Sequence, residues 1–161
     1  MELMRDPREA LNNIMEALLF TYRYDASRRT FVLITEYPFK SPGSIREFAA
    51  FTFEDADFQR VSGDYEPYQG HQDSFQAKGP GAFVIQSVRQ KADGGSGRDQ
   101  LELWFGPNFG GIVVTYGALR GYTRGSTAEK VGPSDWVYRD SKTNQPFDFD
   151  YPFPSLASPP A

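Results

Sequence analysis

From Leu18 onward the hydrophobic pattern has a period of two and is cut repeatedly by glycine, proline or acidic turns, so the chain can build only short strands. Glycine and proline contribute 15 and 12 of the 161 residues. Aromatics reach 16% (14 Phe, 9 Tyr, 2 Trp), although hydrophobic residues as a whole are only 39%. β-Branched and aromatic residues on alternating segments fit a pleated, half-buried surface, while glycine and proline supply the turns. The N-terminus is the exception. Asp6 can cap a helix, Pro7 suits its first position, Glu9 stands three residues after the cap, and Leu11, Ile14, Met15 and Leu18 recur at helical spacing. A short helix is expected over about residues 7–17.

The strand signals follow in order. Residues 18–37 read as a hairpin, with Leu18, Phe20, Tyr22 and Tyr24 on one side of its first strand, Leu19, Thr21 and Arg23 on the other, and DASRR as its turn. A third strand is expected from Ile45 or Phe48 to Phe53, then the acidic turn EDAD and a short strand Phe58–Val61. Residues 62–80 show no apolar periodicity and read as a long surface loop, a feature that is either functional or mobile. Segments 82–91, 99–106 and 111–122 read as an antiparallel meander, with Leu101, Leu103 and Phe105 facing one way and Glu102 and Trp104 the other. FGPNFGG, between the last two, lacks the phosphate-loop patterns and reads as a hairpin turn. After Gly125 regularity fades, with room for one short element around Trp136–Tyr138. Five prolines among residues 146–161 exclude a helix or a central strand there.

The expected architecture is therefore mainly β (α+β): an antiparallel sheet of about six to eight strands, curled into a partial barrel or sandwich, with one N-terminal helix. Residues 1–145 form a single domain. Residues 146–161 form a tail partly docked through Phe147, Phe149, Tyr151 and Phe153, its end disordered. The expected core comprises Leu11, Ile14, Leu18, Phe20, Phe31, Leu33, Phe51, Phe53, Val84, Leu101, Leu103, Val113 and Tyr116.

Chemistry is narrowed by what the chain lacks. It has no cysteine and one histidine, which removes thiolate nucleophiles, disulfides, cysteine zinc sites, iron–sulfur clusters and multi-histidine metal sites, so neither metal nor cofactor is expected. No apolar run is long enough for a membrane helix and the first residues lack the order of a signal peptide, so a cytoplasmic protein is expected. The net charge is -4 and the basic residues are scattered, which gives no positive face for nucleic acid.

The remaining candidates are polar or aromatic residues in turns. His71 is the one group titrating near neutrality and could be oriented by Asp73, but no G-x-S-x-G elbow accompanies it. Glu54, Asp55 and Asp57 make the acidic turn, which lacks the EF-hand pattern and reads as a charged β-turn. Tyr65 and Tyr68 are loop aromatics of the kind found at binding hot spots. Glu54, Asp55, Asp57, Tyr65, Tyr68 and His71 are thus the expected partner-binding residues, with no catalytic residue among them.

The order of short helix, aromatic hairpin, F-x-F strand with an acidic turn, long loop, and a strand pair ending in LELWFGPNFGGIVVTYGAL resembles the small β-rich immunity-like proteins of bacterial polymorphic toxin systems. The resemblance covers about residues 10–122 and carries over no site residue. It implies a bacterial, non-enzymatic module that binds a protein partner such as a toxin, its acidity suited to masking a basic surface. Two other functions stay open: a structural or homo-oligomeric subunit, and a small-ligand binder or enzyme built on His71 and nearby carboxylates.

Overall fold

The computed structural model describes residues 2–37, 45–65, 73–76, 83–92, 97–133 and 136–146. The elements are β1 (Glu2–Leu3), α1 (Pro7–Asn12), β2 (Leu18–Asp25), β3 (Thr30–Tyr37), β4 (Ile45–Glu54), β5 (Asp57–Val61), β6 (Ser74–Gln76), β7 (Phe83–Val84), β8 (Ser87–Ala92), β9 (Asp99–Trp104), β10 (Gly111–Tyr116), β11 (Ala118–Lys130) and β12 (Trp136–Asp140). They make two antiparallel sheets. The larger, curled into a half-barrel, runs β1-β11-β4-β3-β2-β6, with β12 also on β11 and β7 also on β2. The smaller runs β5-β10-β9-β8. The mainly β expectation holds.

The helix forms for the reasons legible in its sequence but is shorter than expected. Asp6 accepts a hydrogen bond from the Glu9 amide at 3.0 Å, and Pro7 takes the first turn, where no amide is needed. It ends at Asn12 because the following turn is tied elsewhere: the Glu16 amide donates to the Ile85 carbonyl, and the Ile85 amide donates to Ala17. Glu16 takes a φ of 68° to make that turn. The helix touches β11 of one sheet and β8 of the other, with its Leu11 and, in the turn after it, Ile14 fully buried.

One core joins the helix to facing sides of both sheets, through Phe31, Phe51 and Phe53 of the large sheet and Leu101, Leu103, Ile112, Val114 and Tyr116 of the small one. A second cluster, Phe20, Val32, Ile34, Phe48, Ala50, Tyr122 and Tyr138, occupies the other face of the large sheet. Strands β3 and β4 are thus buried on both faces, which is why TFVLITEY reads as a nearly continuous hydrophobic run. In β2 the pairing register shifts between Leu19 and Thr21, so the strand changes phase there. Leu18 and Phe20 belong to the second cluster while Leu19, Tyr22 and Tyr24 belong to the first, and the single alternation expected over 18–24 is corrected accordingly.

Other expectations are corrected by strands that change sheet. Segment 82–91 is two strands, since β7 pairs with β2 and β8 pairs with β9. Segment 111–122 is also two, broken at Gly117, and β11 continues beyond Gly125 to Lys130, pairing there with β12. The 62–80 stretch is not wholly loop, because Ser74–Gln76 pairs with Arg23–Thr21. Val84 is 46% exposed rather than core, and Leu18 and Val113 are only half-buried. Tyr68, His71 and the tail from Phe147 lie outside the described residues.

Candidate functional site

Strand β5 is short, and it separates the expected site residues into two groups. Glu54, Asp55 and Asp57 stand at its beginning, and Tyr65 follows its end. The beginning is a charged clasp. Arg29, in the β2–β3 turn, contacts Asp55 at 2.5 Å and Asp57 at 3.2 Å, and Arg98, entering β9, contacts Asp57 at 2.8 Å and donates to the Asp55 carbonyl at 2.6 Å. Arg120 pairs with Glu54. The Arg98 and Arg29 guanidinium groups hold the Asp57 carboxyl below its ordinary range. Asp55 and Asp57 remain more than half exposed, but their charge is offset by two arginines, so this turn presents no net negative patch. It ties the β2–β3 turn, the β4–β5 turn and the start of β9 together.

The other end of β5 meets the hairpin between β9 and β10. The Asp64 amide donates to Pro107 and the Tyr65 amide to Asn108, each at 2.8 Å, so the start of the loop is laid along the hairpin tip. Glycine makes this close approach possible. Gly110 has a φ of 72°, and a Cβ there would overlap the Val61 carbonyl oxygen; one on Gly63 would overlap the Asn108 backbone. The Tyr65 ring then packs edge-on to Phe109 at 6.0 Å, and Phe109 packs on Phe83 at 4.7 Å.

Apolar side chains collect on this end. Gly111 pairs with Val61 on one side and Trp104 on the other, which places Val61 and Trp104 on one face of the sheet in a single cross-strand row. Trp104 lies against the bare Gly111, whose added Cβ would meet the indole at 3.2 Å. Val61, Tyr65 and Trp104 are 37%, 50% and 38% exposed. The next row across the sheet is Gln59, Val113, Glu102 and Arg89, and Glu102 also pairs with Lys91 at 3.2 Å. The result is a small apolar centre with a polar border, the arrangement protein interfaces use.

Below it lies Arg60, only 3% exposed, whose pairing with Ile112 turns it to the inner face. Its guanidinium donates to the carbonyls of Val61 and Gly111 at 2.6 Å each and to that of Phe109, and sits 5.8 Å from the centre of the Phe105 ring. Tyr22 is its neighbour, and burial pushes that phenol upward while Arg60 opposes the shift.

A cleft of about 640 Å³ lies beside the N-terminal arm, with Glu2, Asp6, Glu9 and Glu47 among its lining. Glu2 pairs with Lys142, and Asp6 is occupied as the helix cap. Among the described residues no group of three or more His, Asp or Glu is placed to hold a metal, and no helix is long and apolar enough to cross a membrane.

Of the expected residues that are described, Tyr65 reaches the hairpin end and the acidic three are gathered at the clasp. Sequence reasoning missed Val61, Trp104 and Arg60. A signal for Trp104 was present, since it falls on the Glu102 side of the β9 alternation, where a tryptophan has no core to enter. Arg60 carries none, because an arginine in a short edge strand ordinarily faces water. Compared with known proteins, the chain matches no family model, no curated protein and no solved structure.

Proposed function

We propose that the chain is a non-enzymatic bacterial protein-binding module, an immunity protein that neutralises a toxin in the cytoplasm, and that Val61, Tyr65 and Trp104 are the centre of its contact surface. The reading rests on one observation: exposed Val61 and Trp104 flank Gly111 in one cross-strand row at the end of the small sheet, and exposed Tyr65 follows Val61 on backbone held to the β9–β10 hairpin by hydrogen bonds and glycine-mediated contact. Rigid aromatic groups lose little freedom on binding and dominate hot spots. The net charge of -4 favours encounter with a basic partner, while the offset charges of the clasp leave steering to the molecule as a whole.

The test is capture by the tagged chain from lysate of its source cell, with identification of what is bound and light scattering of the purified protein. One stoichiometric foreign protein, recovered by the unchanged chain and lost with the Tyr65→Ala/Trp104→Ala double variant, supports the reading. A toxin-like identity supports neutralisation. Undiminished capture by the double variant removes this surface from the proposal. Recovery of the bait alone with a multimeric mass replaces the reading with the homo-oligomeric one.

A further inference from the structure

Arg60 is an anomaly that folding alone does not account for. An inward position on an edge strand is filled well by leucine or methionine, whereas a buried guanidinium must recover its lost hydration through fixed acceptors. The acceptors here are three backbone carbonyls from two separate segments: Val61, where β5 ends, and Phe109 and Gly111, on either side of the hairpin's left-handed glycine. These two segments are the ones that carry Val61, Tyr65 and Trp104. The guanidinium is planar and forked, so it can span carbonyls in a fixed relation, which a single ammonium does not do. Its Nε finds no hydrogen-bond partner among the described residues, so the side chain is placed for its two terminal nitrogens at the expense of the third.

We propose that Arg60 is the positioning residue of the binding surface: it locks the tip of the β9–β10 hairpin to the start of the 62–65 segment, so that the exposed apolar side chains are presented in one arrangement before a partner arrives. The inference rests on the surface reading above for its function, but its physical content is independent of any partner. Preorganisation of this kind raises affinity by removing ordering costs from the binding step. A residue that merely filled the core would be replaceable by an apolar side chain of similar length without local loosening.

The experiment is amide hydrogen exchange on the full chain, comparing the unchanged protein with Arg60→Met and Arg60→Lys. In Arg60→Met, the amides of Asp64, Tyr65 and Phe105, which donate to Pro107, Asn108 and Gly110, should exchange at least about tenfold faster, while amides of β3 and β4 keep their protection. Arg60→Lys should show the same local pattern, because it keeps the charge and loses the fork; it also decides the matter if the methionine variant fails to fold. Unchanged exchange at those three amides in a folded variant overturns the proposal, as does acceleration spread evenly over the whole chain. The failure of the surface reading is separate, since it is read from capture by the Tyr65→Ala/Trp104→Ala variant, in which Arg60 is intact.

Discussion

Three donors converge on the buried carboxylate of Asp140 at the end of β12: Arg124 Nε at 2.5 Å and the amides of Lys142 and Thr143 at 2.8 Å each. Burial opposes its ionisation, but the three hydrogen bonds together outweigh that and hold it far below the ordinary carboxylate range. Asp57 is shifted the same way by Arg98 and Arg29. A carboxylate depressed in the folded state contributes stability that is present above its unfolded pKa, about 3.9, and is lost as pH falls toward its folded value. Stability should therefore decline progressively below about pH 4. Asp140→Ala removes the acceptor of the Lys142 and Thr143 amides and the carboxylate on half-buried Arg124, and should cost about 2 kcal/mol at pH 7. Urea unfolding at pH 7 and pH 3 checks this, with the gap between variant and unchanged protein narrowing at the lower pH; a gap that widens would refute the assignment. Asp140 in YRDSKTN is readable as a turn residue, since Asp and Ser commonly bond to amides two or three positions on. Its Arg124 partner is not readable. That contact needs the β11–β12 pairing, and RGSTAEK carries no alternation from which a strand could be inferred.

Among elements, β10 and β11 show where local sequence stops being sufficient. GIVVTY and ALRGYTRG have similar β propensity and are separated by Gly117 alone, yet one belongs to the small sheet and the other to the large. Nothing in periodicity reports which neighbour a strand takes, so β structure over 111–122 was legible, and the break at Gly117 with its change of sheet was not. The helix was legible in its cap and face because those signals are local, whereas its end depends on Ile85, far along the chain. Gly121 has a related long-range reason to be glycine. A Cβ there would run into Met4 and approach Pro7 to 3.1 Å, because the N-terminal arm and the first turn of α1 lie directly on β11. Gly121→Val should lift this arm, destabilising the fold by about 1–3 kcal/mol. Hydrogen exchange should show the loss at residues 4–14 and little change in β8–β10. A variant with normal protection of Ala10 and Asn13, whose amides close the helix, would show that the contact is yielding rather than structural.

For the whole molecule, the pairing order separates contacts that are near in sequence from remote ones, the longest ladder of which is the β4–β11 seam. Strands β2, β3 and β4 pair in chain order, and the connection between the first two is a four-residue turn. The β4–β11 ladder, by contrast, joins Ile45–Glu54 to Ala118–Thr127, and β1 pairs with the same strand across a still longer span, Glu2 with Thr123 and Leu3 with Tyr122. Closing a longer loop costs more entropy before any contact rewards it, so folding of this topology should be slow, in the millisecond to second range. The same inequality predicts an order of events: β2–β3–β4 assembles in the transition state and β11 docks afterwards. Leu33, fully buried in β3, and Leu119, partly buried in β11, both pack into the shared core and so report on the two sides of the seam. Leu33→Ala, which should cost about 2–5 kcal/mol, is expected to act mainly by slowing folding, while Leu119→Ala acts mainly by speeding unfolding. Stopped-flow folding and unfolding rates across denaturant separate the two effects. The reverse assignment, with Leu119→Ala slowing folding and Leu33→Ala leaving it unchanged, would mean that the remote seam forms first and that chain proximity does not direct this fold.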